Sequence, residues 1–526
     1  MDVTRQKNGN MLTRIETLKN FRAAIYLFFQ KRQDSVMNLL DAISSFGHRS
    51  RSVVQLSEAE CFERKYSSIT DAIADGLPHA DWKLLATEQF KAVFNKEAGK
   101  PPCFLIDCTP NPRPFSKKLA DRTVTHAPNP APGNKPICVG HQYSCVALLP
   151  DNELAHDKKW IAPLSTKRVS SQDKGNEVGM QQVASLIKQL QLENNRVVSV
   201  GDTLYGSENC RLTAGKNPKL IHIFRLNSKR NVFHLPTVSN IPQRGRKKIY
   251  GAKMSLSNPG THRSPDHQSE TARLARTGKL YRIKIEAWDN MLMRGSKQID
   301  ARKHALTLIR ISMFDNKGNT VFKRPLWLGV QGQCRETISL ISAYQYYSSR
   351  YNIEHFFRFG KHKLLLDSYQ TSDVVHEENW WKLCILAYNQ LYLAKSLVPL
   401  QIKQWEKYLP EFKNQENKTQ LIATPSQTQR GFSTLLKQIG TPALPCVPRG
   451  TSSGRKEGQS GPVREDNPII FKSARLDKKA NIPNSEDQLD NPNPQKIQTL
   501  VKTVRSRLAT LNFPMTQFTK MLSDTG

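Results

Sequence analysis

A chain of 526 residues is long enough for one large core or two to three ordinary domains, which permits an enzyme without requiring one. It carries 78 Lys and Arg against 45 Asp and Glu, a formal net charge of +33, and an excess of that size calls for a polyanionic partner, with nucleic acid the leading candidate. No apolar stretch approaches the roughly 20 residues that span a bilayer, so no membrane partner is expected.

The N-terminus, MDVTRQKNGNMLTRIETLKN, lacks the apolar centre and small-residue cleavage site of a secretory signal, and a cytoplasmic location is expected. Nine cysteines lie singly, with no C-x-x-C pair, which speaks against a disulfide framework and against a structural zinc site. Cys103, Cys108, Cys138 and Cys145 fall in strand-like segments and read as small, reduced core residues.

Residues 1–97 read as an N-terminal helical domain, because Leu12, Ile15, Leu18, Phe21, Ile25 and Phe28 recur at helical spacing with bases between them. DNA binding and a merely solvated basic face are both open for it. From residue 98 to 227 the texture changes to short apolar runs bounded by turns: CFLIDCTP, ICVGHQYSCVALLP and WIAPLS, a polar helix near 176–195, then VVSVGDTLYGS and IHIFRL. Strands, a crossover helix and further strands predict an α/β protein, a mixed sheet covered by helices.

Residues 228–325 are basic and turn-rich with alternating segments, and predict a β-rich insertion with a hairpin turn at Asn316–Asn319. The core pattern resumes over 326–410 with PLWLGV, a long helix through Glu354, and an apolar helix around NWWKLCILAYNQLYLAKSL. Residues 411–526 form a basic C-terminal tail. Its Asn, Gln, Ser, Pro and Lys over 411–495 predict a largely disordered linker, and IQTLVKTVRSRLATLNF could form a short terminal helix.

Two acids end apolar strands. Asp107 follows Phe104–Leu105–Ile106, and Asp202 follows Val197–Val198–Ser199–Val200–Gly201. Either alone reads as a structural turn residue, but two strand-end carboxylates converging on one sheet edge repel unless a cation lies between them. Mg²⁺ suits such a site, and a third acid from a helix would complete a two-metal centre for phosphoryl transfer.

On one continuous helix Tyr347, Arg350, Glu354 and Lys361 fall within an arc of roughly 60°, with Ile353, Phe356, Phe357 and Leu364 on the adjoining arc. Gly360 costs about 1 kcal/mol there relative to Ala, so a kink or helix end is expected near it. Taken alone, Arg350, Glu354 and Lys361 read as a solvated charge ladder. Beside the two aspartates they read as acid for metal, bases for phosphates and a phenol for phosphate or base.

The run YSSRYNIEHFFRFGK fits Tyr-x2-Arg-x3-Glu-x6-Lys without a gap. Over residues 100–400 the chain resembles the bacterial insertion-sequence transposases that carry this signature on a ribonuclease H-like DDE core. The resemblance implies Asp107, Asp202 and Glu354 as the catalytic and metal-binding triad, with Asp121 the fallback for the first acid. Two Mg²⁺ ions are implied, with Mn²⁺ as a substitute. It implies that Tyr347, Arg350 and Lys361 hold the transposon end and that Trp327 stacks on a flipped base, with Trp288 a weaker alternative. A buried strand tryptophan is the competing reading of Trp327, and His141 and His222 read as core histidines or supports of the site.

The implied activity is cleavage at the element's terminal inverted repeats and joining to target DNA, with a hairpin intermediate as one route. A homodimer assembled on DNA in a bacterial, nucleoid-associated setting is implied as well. The rivals are a metal-dependent nuclease on the same fold, and an inactive or repurposed transposase that only binds DNA.

Overall fold

The computed structural model describes residues 2–94, 99–127, 136–151, 159–236, 248–274, 279–295, 300–399, 403–408, 422–447, 454, 456–460 and 463–471. It begins with helices α1 (Asp2–Phe28), α2 (Gln33–Phe46), α3 (Ser67–Asp71) and α4 (Trp82–Val93). The helical spacing is real: Leu18, Phe21 and Ile25 are buried, whereas Leu12 is exposed. Asp81 starts α4 by accepting hydrogen bonds from the backbone N–H groups of Lys83 and Leu84. Arg22 of α1 pairs with Asp41 of α2 and donates to Gln390, all three fully buried, which ties this helical region to an element far along the chain.

The centre is a ten-stranded mixed sheet. Its first members are β1 (Cys103–Pro112), β2 (Thr123–His126), β3 (Ile137–Leu148) and β4 (Ala162–Val169), followed by helix α5 (Gly175–Gln189), β5 (Val197–Gly201), helix α6 (Glu208–Gly215) and β6 (Leu220–Leu226). β3 runs antiparallel to β1, β2 and β4, while β1, β5 and β6 are mutually parallel neighbours.

Period-two alternation assigns the two faces. Leu105, Val198, Val200, Ile221 and Ile223 belong to the apolar cluster shared with the N-terminal and C-terminal helices. Phe104, Ile106, Val197, Leu220 and Phe224 belong to the cluster on the α5 and α6 side.

After β6 come β7 (Asn231–Phe233) and β8 (Lys253–Ser255), a small two-stranded sheet, then β9 (His267–Leu274), β10 (Leu280–Met291), β11 (Leu306–Phe314) and β12 (Leu326–Gln331). The expected β-rich stretch is therefore present, but β9 to β11 extend the main sheet through β12, which pairs with β6. The turn after β11 closes where Asp315 N–H donates to Asn319 O and Gly318 N–H to Asp315 O.

The C-terminal side carries α7 (Leu340–Ser349), α8 (Tyr351–Lys363), α9 (Val374–Ala394) and α10 (Pro425–Ile439). One expectation is corrected here: the single long helix is split at Arg350, whose N–H bonds Tyr347 O three residues back. The helix end expected near Gly360 is present, α8 closing at Lys363 with Leu364 N–H and Leu366 N–H both donating to Gly360 O. Leu366 packs against Gly360, where a Cβ would come to 3.0 Å from that side chain.

The tail is also not disordered throughout. α10 opens with a reciprocal capping box between Thr424 and Gln427, buries Phe432 and Leu435, and ties α2 to the end of α8 through Gln429 Nε2, which donates to Ile43 O and Lys363 O. Residues 463–471 lie along the β1–β2 connection, with Ile470 N–H donating to Arg122 O and Asn467 N–H to Lys117 O. Composition misjudged these segments because a docked amphipathic helix needs only a few apolar residues when a groove awaits them. The terminal segment IQTLVKTVRSRLATLNF lies outside the described residues.

Candidate active site

The register of the parallel strands positions the first two acids. Leu105 pairs with Val200 across β1 and β5, so two residues further on Asp107 and Asp202 stand at the same level. Alternation puts both on the face of Leu105 and Val200, the face covered by α7 and α8. Adjacent strands lie about 4.8 Å apart, which makes the two carboxylates neighbours.

The turn after Gly201 is held from below. The Tyr205 ring lies against Gly201 so closely that a Cβ would meet its Cγ at 2.4 Å, and Asp202 Oδ1 accepts from Leu204 N–H at 2.8 Å. Asp202 thus takes the structural capping role that a lone strand-end aspartate suggested, using one oxygen, while its Oδ2 makes no hydrogen bond among the described residues.

Glu354 comes from the first turn of α8, beside the buried Ile353, Phe356 and Phe357 that anchor the helix. Arg350 joins it to the sheet: Nη1 donates to Asp107 Oδ2 at 3.0 Å and Nη2 to Glu354 Oε1 at 2.8 Å. Asp107 Oδ1 accepts from Cys108 N–H at 2.8 Å. Burial pushes the Asp107 carboxyl up to about 6; Arg350 and the Cys108 N–H oppose this, and the negative charges of Asp202 and Glu354 add to it.

Tyr347 lies in the same field. Burial raises its phenol, Arg350 and Arg225 pull it down, and Asp202 raises it. Lys361 donates from Nζ to Pro110 O at 2.6 Å, bracing α8 against β1, and burial lowers its ammonium.

The remaining expected residues lie elsewhere. Trp327 is 1 % exposed, packed against Trp288 and His262 with the Arg310 guanidinium 5.9 Å from its ring centre, so neither face is open to a base in this conformation. Trp288 is equally buried and donates from Nε1 to Arg263 O. Asp121 is taken up by Arg168 and by Ser171 N–H, and none of its partners is Asp202, Arg350 or Glu354. His141 and His222 are core histidines: the first bonds Glu377 and Ala120, the second Ser199 and Tyr205.

Sequence reasoning passed over Arg225. One step beyond the pair Gly201 and Phe224, Asp202 and Arg225 stand level on β5 and β6, so an exposed guanidinium continues the row of Asp107 and Asp202. The signal was present in IHIFRL, a charged residue at the end of a third apolar strand, but only the strand register gives it meaning.

The donor chemistry of Asp107, Asp202 and Glu354, all anionic oxygen, suits a hard divalent ion. As they stand, with Arg350 between two of them, these acids are not gathered on one point, and among the described residues no three His, Cys, Asp or Glu side chains are.

The family model of DDE superfamily endonucleases matches residues 27–295, a little over half of the chain. The chain belongs to that family. Family membership makes it a nuclease-type enzyme with DNA as its substrate. The matched stretch of this DDE endonuclease contains Asp107 and Asp202 and ends before Glu354. No curated protein matches the chain. Among the described residues of the endonuclease, no helix is long and apolar enough to cross a membrane.

Proposed function

We propose that this DDE endonuclease is the transposase of a bacterial insertion sequence, with Asp107, Asp202 and Glu354 as its catalytic acids. One observation carries the reading: two aspartates stand level on adjacent parallel strands, Asp107 inside β1 rather than at its expected end and Asp202 just past the end of β5, and the helix covering that face brings Glu354 to the same guanidinium as Asp107. The strand order β4-β3-β1-β5-β6, antiparallel over the first three and parallel over the last three, supports a ribonuclease H-like core made of residues 98–227 and 326–410. The Tyr347, Arg350, Glu354 and Lys361 spacing supports the insertion-sequence group.

Mg²⁺, with Mn²⁺ able to replace it, would supply Lewis-acid activation of water and of a 3′-hydroxyl at the phosphate. The chain's own residues do the rest. Asp107, inside β1, and Asp202, in the turn that ends β5, present the oxygen ligands from the sheet. Arg350, Tyr347 and Arg225 offer donors to a DNA phosphate, and Lys361 holds the helix carrying Glu354 on the strand carrying Asp107. Trp327 could meet a flipped base only after its enclosure opened. The partners are terminal inverted repeats and target DNA, met by a homodimer.

The test is cleavage and joining of duplexes taken from the inverted repeats that flank the gene. Asp202→Asn and Glu354→Gln are expected to lose cleavage by several orders of magnitude while still retarding the duplex in a gel. Loss of binding in step with cleavage would show that these acids serve folding instead. The family description as endonucleases favours one second reading, a nuclease without strand transfer; that enzyme would cut the duplex yet fail to join a pre-cut end to target DNA.

A further inference from the structure

We propose that Arg350 is a built-in counter-ion that keeps the site closed to divalent cations until DNA draws it away, so that DNA binding and cation binding are coupled. The proposal rests on the reading of Asp107 and Glu354 as cation ligands. The guanidinium spends one nitrogen on each acid, Nη1 on Asp107 Oδ2 at 3.0 Å and Nη2 on Glu354 Oε1 at 2.8 Å, and its side chain is only 15 % exposed. A Mg²⁺ ion holds oxygens at about 2.0–2.1 Å. The guanidinium already occupies Asp107 Oδ2 and Glu354 Oε1, so an ion that is to take both oxygens must first displace it.

The backbone supplies a place for the exchange. Arg350 is the joint between α7 and α8, where its N–H bonds Tyr347 O and its own C=O accepts from Ile353 N–H, three residues away in each direction. The side chain therefore leaves from a break in the regular ladder, not from the middle of a rigid turn.

The surroundings supply the competitor. A DNA phosphate offers the guanidinium the same forked pair of charge-assisted bonds that the two acids now provide. Arg225, level with Asp202 on the next strand and exposed, adds positive charge on the same row. A phosphate drawn to this row takes the fork and frees Asp107 Oδ2 and Glu354 Oε1 together. Linkage makes the effect mutual: the factor by which DNA tightens cation binding is the factor by which the cation tightens DNA binding.

The probe is Mn²⁺, followed by the electron paramagnetic resonance signal of the free ion, with full-length protein alone and with a duplex. Wild type is expected to bind Mn²⁺ about tenfold or more tightly when the duplex is present, within the usual range of coupling between two sites. Arg350→Gln is expected to bind Mn²⁺ without DNA as tightly as the wild-type complex does, the duplex then changing its affinity less than about twofold. In metal-free buffer the variant should melt below wild type, because Asp107 and Glu354 lose their shared cation, and added Mn²⁺ should restore the loss. Arg350→Lys, which keeps the charge but not the fork, should fall between the two and serves if the Gln variant does not fold.

Equal Mn²⁺ affinity of Arg350→Gln and wild type without DNA, with binding abolished by Asp107→Asn, would overturn the gate and leave the acids as ligands. Mn²⁺ bound by none of the proteins, with or without duplex, would overturn both.

Discussion

His222 and His141 are both wholly buried on the strands of one sheet, and their hydrogen-bond partners differ. His222 Nε2 faces the carbonyl of Tyr205 at 3.1 Å and Nδ1 faces the Ser199 hydroxyl at 2.9 Å, so one nitrogen donates and the other accepts, and the neutral ring is satisfied. Both nitrogens of His141 face oxygen partners, Glu377 Oε2 at 2.5 Å and Ala120 O at 2.9 Å. Glu377 is held below the usual carboxylate range: its burial alone would raise it, but the hydrogen bond and charge of His141, then Arg113 and Tyr143, outweigh that.

Burial lowers His222 from 6.5 to about 4. Above pH 6.5 folded and unfolded states are both neutral there, and the full stability is present. As pH falls from 6.5 to 4 only the unfolded chain takes up the proton, so about 3 kcal/mol is lost across that window. Urea titrations at a series of pH values should show this slope in wild type and a shallower one in His222→Gln.

At the scale of elements, helix breaks and helix ends decided what the periodic pattern left open. The apolar spacing through Glu354 is continuous, and the break at Arg350 has no glycine or proline to announce it. Tertiary bonds create it, because Arg350 must reach the sheet at Asp107 while Ile353 and Phe356 pack on the core.

α10 is the opposite case. Its start was written in Thr424, Pro425 and Gln427, but the low apolar content around it argued for disorder, and only the groove between α2 and α8 makes the helix worth forming. Phe432 is fully buried there, so Phe432→Ala should cost about 3–5 kcal/mol in chemical denaturation. A change below about 1 kcal/mol would mean that α10 is not docked in solution.

For the whole molecule the dominant quantity is the net charge of +33. A protein that neutralises many phosphates releases condensed counterions, and its affinity for duplex DNA falls steeply with salt. Between about 50 and 200 mM salt a loss on the order of a thousandfold is expected for six or more phosphate contacts, measured by fluorescence anisotropy with a duplex of arbitrary sequence. An affinity indifferent to salt over that range would contradict a charge-driven DNA surface.

Much of this molecule was legible in order along the chain. Apolar runs bounded by turns gave the strands, 3.6-residue spacing gave the helices, and charge gave the class of partner, because each is a local property or a simple sum. Asp107 and Asp202 could be picked out as costly strand-end acids, and Glu354 by the spacing around it. That they lie on one face, that Arg225 continues their row, and that Arg350 lies between two of them rather than open to solvent depended on strand register and on a helix joint. Register and side-chain reach are relations between separate elements, up to 243 positions apart for Asp107 and Arg350, and no local pattern encodes them; they exist only once the sheet has closed and its helices have packed.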